Sequence, residues 1–377
     1  MRIEEEIKMN EMEARIQATY DALHAMPEVG FAEHRTSAWL AEKIKAAGFI
    51  VMTGVGGTGI VATLKGKEPG PTVALRADMD ALAYTVNGED VCVHSCGHDA
   101  HSSMVLTAAE ELAKADIRRG TLKILFQPAE ETVLGALKMI EAGALDDVDV
   151  VIGIHLRPIQ EAKTGQATPA LYHGSSYIME ATINGRTAHG ARPHLGINAI
   201  DAAAAVVNAV NAIHLNPVVP WTCKVTKLHA GGATLNVIPD RAEMALDLRT
   251  QQNAAMDALL DKAEKAIKAG AATVGATAET TVKGGVPGAE YHPEIIELAR
   301  DAIRAVLGEQ GLLDPIVTPG GEDFHNFVKA RPKVKAGYVG LGCNLSPGLH
   351  DPTMKFDRSA MIHGTNILLH MTRKLLS

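Results

Sequence analysis

Thr72-Val73-Ala74-Leu75-Arg76-Ala77-Asp78-Met79-Asp80 is the stretch that decides the fold. A short β-prone run leads straight into an arginine and two carboxylates. The same design recurs twice more. Thr121-Leu122-Lys123-Ile124-Leu125-Phe126 runs into Gln127-Pro128-Ala129-Glu130-Glu131, and Val148-Asp149-Val150-Val151-Ile152-Gly153-Ile154 runs into His155. Such near-continuous apolar runs read as strands buried on both faces. Segments with helical spacing lie between them, over about 103–114 and 134–143. Strands alternating with helices imply an α/β layer around a largely buried sheet. Ligands of such sheets bind outside the carboxyl ends of the strands. The ionisable residues at the three strand ends are therefore expected to converge in space. Cys96-Gly97-His98-Asp99-Ala100-His101 lies between the first two strands and could sit over the same edge.

Upstream, residues 11–48 read as helices: Ile16, Tyr20 and Leu23 share one face, as do Trp39, Leu40, Ile44 and Ala47, and Gly48 is a stop signal. Residues 59–64 read as a further strand. Downstream, the texture changes near Ser175, where Tyr177, Met179, Ala181 and Ile183 alternate with Ile178, Glu180, Thr182 and Asn184, the mark of a half-exposed strand. A helix over 198–215, strands over 223–228 and 241–249, a helix over 256–269 and a strand over 279–283 follow. Strand-helix-strand-strand-helix-strand is the order of a ferredoxin-like α+β unit. After Gly284-Gly285-Val286-Pro287-Gly288, read as a linker, the α/β texture resumes with a helix over 293–307 and a strand over 336–341. The expected organisation is a larger domain from 1–172 and 288–377, with a smaller domain, 173–287, inserted into it.

The whole-chain numbers narrow the class. At 377 residues the chain is too long for one ordinary compact unit. Its 46% hydrophobic and 21% charged residues describe a globular protein rather than a disordered one. A net charge of -8, with no dense Lys/Arg run, argues against a nucleic-acid partner. Four cysteines (Cys92, Cys96, Cys223 and Cys343) make no disulfide framework and suit a reducing compartment. Met1-Arg2-Ile3-Glu4-Glu5-Glu6 lacks the apolar core of a secretory signal. No stretch reaches the ~20 apolar residues that span a bilayer. A cytoplasmic protein without membrane association is the expectation.

Thiolate, imidazole and carboxylate are the protein ligands of zinc-like ions, so the strand-end residues suit metal-assisted hydrolysis. Each also has a plainer explanation. Cys96 alone would be a small buried hydrophobe, His155 alone a satisfied core histidine, Asp78 and Asp80 turn formers, and Glu130-Glu131 a solvated pair. Their shared placement at strand ends is what favours chemistry. Glu130 and Glu131 would point to opposite faces on a strand. In a loop, one could bind metal while the other takes a proton from water.

With these residues in view, the chain resembles the M20 metallopeptidase family, and within it the amidohydrolase branch that cleaves N-acyl amino acids. The resemblance rests on Leu23-His24-Ala25-Met26-Pro27-Glu28 with Glu33 and Thr36, on Arg76 to Leu82, on Cys96 to His101, and on Gln127 to Glu131. Gly153-Ile154-His155, Ala188-His189, Pro193-His194 and Gly320-Gly321-Glu322-Asp323-Phe324 extend it. It implies a metallo-exopeptidase-type catalytic domain, a mixed sheet flanked by helices, with the inserted domain as a lid and dimerisation surface. It implies two divalent ions, zinc or manganese, held by Cys96, His98, Glu131, His155 and His350, with Cys96 bridging. Glu130 matches the general base, and Asp80, or else Asp78, the carboxylate that orients a metal-bound imidazole. His101 is left with a packing or supporting role. His189 matches a lid histidine at the oxyanion, and Asn236 and Arg249 match residues that hold the substrate's carboxylate.

The implied partners are a small N-acyl amino acid and a second copy of the chain. Two departures from the family pattern stand out. Ala83 replaces a proline, and Thr132-Val133-Leu134-Gly135 replaces a Gly-rich stretch. Both bear on the pocket wall. The rival readings are a dipeptidase or carboxypeptidase of the same fold, a non-catalytic binding module, and a purely structural zinc site.

Overall fold

The computed structural model describes residues 2–377. The chain divides into two compact units: the chain up to Tyr172 with Glu290–Val317 and Asp323–Ser377, and His173–Ala289 with Thr318–Glu322. Labels below run in chain order.

The first unit is built on a seven-stranded mixed sheet. Its strands are β1 (Ile50–Val55), β2 (Gly59–Lys65), β3 (Glu68–Asp78), β4 (Arg119–Gln127), β5 (Val150–Pro158) and β6 (Ala167–Thr168), with β11 (Lys335–Leu345) arriving late in the chain. The spatial order is β1-β2-β4-β3-β5-β11-β6. The four central strands, β4, β3, β5 and β11, are parallel to one another, and the outer pairs are antiparallel. Helices cover the sheet: α1 (Arg2–His24), α2 (His34–Ala46), α3 (His98–Lys114), α4 (Gly135–Glu141), α7 (Pro293–Leu307) and α8 (Met361–Leu375). One core cluster joins α1, α3, α7 and α8 through Ile16, Leu23, Met104, Ala299 and Leu368, and a second packs Met139, Phe324, Phe327 and Tyr338 around Leu125 and Val151. β3, β4 and β5 are buried along most of their length, as their unbroken apolar runs require.

The second unit is a four-stranded antiparallel sheet with two helices. β7 (Ser175–Asn184), α5 (Ala199–Asn211), β8 (Trp221–Ala230), β9 (Arg241–Thr250), α6 (Asn253–Ala272) and β10 (Thr277–Val286) follow one another in the chain. They lie in the order β8-β9-β7-β10, the ferredoxin-like arrangement. Met179, Ala181 and Ile183 of β7 are buried against Val206, Leu259 and Ile267 of the helices.

Three local expectations shift. α3 starts at His98, five residues before the expected start at 103, because Gly97 adopts φ +86 and turns the chain directly into the helix. A side chain at Gly97 would also meet Leu156 Cδ1 at 2.9 Å. The expected linker 284–288 is strand as far as Val286. The hairpin Leu82–Val86/Glu89–Val93 was not anticipated, although Asn87-Gly88, with φ of +54 and +86, is the dipeptide such turns favour. Among the described residues, no helix is long and apolar enough to cross a membrane.

Candidate active site

Parallel pairing in the first unit aligns the strand ends. Asp78 and Gln127, the last residues of β3 and β4, pair with each other, and His155 of β5 pairs with Gly340 of β11. The turns that follow these strands supply Asp80, Glu130, Glu131 and His350. The first turn of α3 adds His98 and His101.

Hydrogen bonding fixes which nitrogen each imidazole presents. His98 Nδ1 lies 3.0 Å from Asp80 Oδ1, which leaves Nε2 buried and without a hydrogen-bond partner. His155 Nδ1 is 2.6 Å from the Leu156 carbonyl, so it carries the proton and Nε2 is left as the acceptor, 3.5 Å from Cys96 Sγ. His101 uses both nitrogens: Nε2 accepts from the Leu156 amide at 3.0 Å, and Nδ1 donates to Asp78 Oδ1 at 2.8 Å. It has no lone pair to offer a metal. Asp80 thus holds His98, and Asp78 holds His101.

Cys96 lies at the centre. Its sulfur groups with His98 and His155, and separately with Glu131 and His350, each set having its ligand atoms within 4.8 Å of one another. His350 Nε2 is 3.2 Å from Glu131 Oε1. His98, Glu130 and Glu131 form a further group of this kind. Burial pushes the Cys96 thiol up to about 12, so it would stay neutral unless a cation replaced its proton. Burial, with help from His101 and Arg157, holds His155 well below its ordinary value, as a neutral donor. Burial works against a charged His98, yet the Asp78 carboxylate and the Asp80 hydrogen bond favour positive charge there and its value is raised well above the ordinary one. Orphaned buried lone pairs, a thiol needing a cation and carboxylates favouring positive charge together fit divalent metal.

Glu130 and Glu131 occupy a 3-10 turn, Glu130–Thr132, between two left-handed residues, Ala129 at φ +51 and Val133 at φ +57. That conformation costs a non-glycine residue roughly 1–3 kcal/mol, and Val133 is β-branched as well. The departure from a Gly-rich stretch thus falls on a strained turn. The turn brings both carboxylates to His98 but gives them different further partners: Glu131 groups with Cys96 and His350, whereas Glu130 Oε1 accepts from the Asp323 amide at 3.3 Å. The Glu131 amide donates to Asp80 Oδ2 at 3.0 Å, so Asp80 braces two candidate ligands at once. His350 is itself left-handed, at φ +63, with its amide on Ser95 O at 2.7 Å and its carbonyl on the Tyr84 hydroxyl at 2.9 Å.

Sequence reasoning gave no role to the layer beneath. Arg76 is fully buried and binds Asp78 Oδ2 at 2.5 Å, Gln127 Oε1 at 2.8 Å, Asp323 Oδ1 at 3.1 Å and the Tyr338 hydroxyl at 3.2 Å. An arginine inside an apolar strand was the available signal, since buried charge needs partners. Glu33, also fully buried, accepts from the Ala129 amide at 2.7 Å and the Thr58 hydroxyl at 2.5 Å.

The candidates in the second unit have different surroundings. His189 and Asn236 are exposed and close in the fold: His189 pairs with Val237, and the Gly190 amide donates to Asn236 O at 2.8 Å. Arg249 is exposed on β9 and already engages Asp247 with two bonds, at 2.8 and 3.1 Å.

Known proteins resemble the chain over most of its length. The model of peptidase family M20/M25/M40 matches residues 74–374. N-acetyl-L-cysteine deacetylase of Bacillus subtilis is 30% identical over 98% of this chain and 90% of its own. Thermostable carboxypeptidase 1 of Saccharolobus solfataricus is 32% identical over 82% of each chain. The crystal structure of a Bacillus subtilis protein, described as a dinuclear metal binding peptidase from the M20 family, superposes with a TM-score of 0.80 at 28% identity, covering 97% of this chain and 99% of that one. The family match over residues 74–374 and relatives of 30% identity or more along most of the chain show that this chain belongs to peptidase family M20/M25/M40.

Proposed function

We propose that this hydrolase cleaves the amide bond of N-acyl amino acids, releasing a carboxylic acid and a free amino acid. The observation that carries the reading is Cys96 standing in two ligand groups at once, with Glu130 as a further carboxylate beside them. Cys96, His98, Glu131, His155 and His350 would hold two divalent ions. Such ions supply Lewis acidity, which lowers the proton affinity of water and polarises a carbonyl. Glu130 takes the proton from the attacking water and returns it to the leaving amine. Asp80 keeps His98 in the tautomer that presents Nε2. His189 is assigned to the oxyanion, and Asn236 and Arg249 to the substrate's carboxylate, on the family resemblance alone. Arginine suits that task because its planar fork meets a carboxylate with two bonds.

The N-acetyl-L-cysteine deacetylase relative, aligned over nearly the whole chain, supports an acyl substrate. The carboxypeptidase relative supports a second reading, cleavage of peptides. A panel of N-acetyl and N-benzoyl amino acids set against dipeptides decides. Higher kcat/KM on the acyl amino acids is expected, and preference for dipeptides selects the second reading. Thiolate favours zinc and carboxylates admit manganese; metal analysis after chelator-free purification, with activity following the same ion, identifies it. We also propose a cytoplasmic homodimer that associates through the second unit. Sedimentation showing only monomer at assay concentration contradicts the dimer.

A further inference from the structure

The turn carrying Glu130 and Glu131 is strained at both ends, and something must hold it. Three features of the segment 30–33 meet it. The Glu33 carboxylate takes the Ala129 amide at 2.7 Å, at the first left-handed residue. Gly30 lies so close that a side chain there would come within 2.9 Å of Thr132 Cγ2 and 3.0 Å of Ala129 Cα. Phe31 is itself left-handed, at φ +62, which folds Gly30 and Glu33 onto the same turn. Behind Glu33, the Thr58 hydroxyl donates to its other oxygen, and Ser37 Oγ anchors the Thr58 carbonyl at 2.6 Å.

We infer that Glu33 is a positioning residue: its carboxylate clamps the Ala129 amide and so sets the direction of Glu130 and Glu131. The Glu33 carboxylate meets the turn at its backbone, on the Ala129 amide. The inference rests on the proposed role of Glu130 for its catalytic consequence but not for its structural one. What the clamp needs is an acceptor toward Ala129, not a charge. Burial raises the Glu33 carboxyl despite its bonds to Thr58 and Ala129. A glutamine could keep the acceptor on Ala129 and donate its amide to the Thr58 hydroxyl, which can turn to accept.

The test compares Glu33→Ala and Glu33→Gln in the metal-loaded full chain. Two readouts are used: hydrogen exchange of the segment containing Ala129, and kinetics on the acyl amino acids and dipeptides of the panel above. Glu33→Ala is expected to speed exchange at that segment at least tenfold and to lower kcat at least tenfold, with KM within about threefold. Glu33→Gln is expected to restore both. Unchanged exchange and kcat in Glu33→Ala overturn the inference, as does a Gln variant as impaired as the Ala variant. Should Glu33→Ala fail to fold, Glu33→Gln decides alone: near-wild-type exchange and kcat support the clamp, and a tenfold change in either overturns the inference. In a Glu130→Gln background, Glu33→Ala should still speed exchange, and should lower kcat by a smaller factor than it does in the wild-type background. If Glu130→Gln itself keeps wild-type kcat, the base assignment fails, and the exchange readout alone still judges the clamp.

Discussion

The ionisable edge of the first unit and the candidate residues of the second are held in opposite ways. In the first, His98, His101 and His155 are buried, and each commits Nδ1 to a fixed acceptor. Arg76 beneath them divides its donors among four side chains. In the second, His189, Asn236 and Arg249 are exposed, and Arg249 is paired with a neighbour on its own strand. A buried group stripped of its partner keeps its full desolvation cost. An exposed ion pair contributes only about 0–1 kcal/mol and is readily exchanged for a ligand. The first arrangement suits groups that must stand still for metal, and the exposed pairing of Arg249 with Asp247 suits a group that must let go of one carboxylate to take another.

Substitutions can break this contrast. Arg76→Met leaves Asp78 and Asp323 buried without their cation and should destabilise the fold by about 3–5 kcal/mol, read from the urea midpoint. Glu130→Gln keeps the shape of the turn and should lower kcat about 10²–10⁴-fold while both metals stay bound, measured by turnover alongside metal content. Asp80→Asn keeps only one of two acceptors, for His98 or for the Glu131 amide, and should weaken metal retention roughly 10–100-fold, read by titration with a chelator. Arg249→Ala should sharpen the contrast from the other side, raising KM about tenfold while stability moves by less than about 0.5 kcal/mol. A large loss of stability from Arg249→Ala would mean that the exposed pair with Asp247 is structural.

Much of the first unit was legible because its strands announce themselves twice, by apolar runs and by the ionisable residues that end them. Asp78, Glu130, Glu131 and His155 needed no more than that. His350 did not follow from spacing: it comes after β11, far along the chain, and nothing around Ser346-Pro347-Gly348-Leu349 marks it as a strand-end residue of the same sheet. Only the family pattern pointed to it. The supporting layer was hidden for a different reason. Glu33 and Asp323 act through or beside backbone amides that become neighbours only in the fold, and a buried carboxylate has no local periodicity to betray it. The second unit's βαββαβ order was plain from alternation, whereas its exposed Arg249 carries no signal that separates a binding arginine from an ordinary surface one.

The central claim is that the sheet edge works as a metal-dependent hydrolytic site with Cys96 common to two ligand groups. Stripping the enzyme with a chelator and returning zinc or manganese in measured equivalents tests it most directly. Loss of turnover on the best panel substrate, and full recovery at two equivalents per chain in wild type but not in Cys96→Ala, is the predicted result. Turnover that survives stripping, or a Cys96→Ala variant that still takes up two ions and recovers fully, would contradict it.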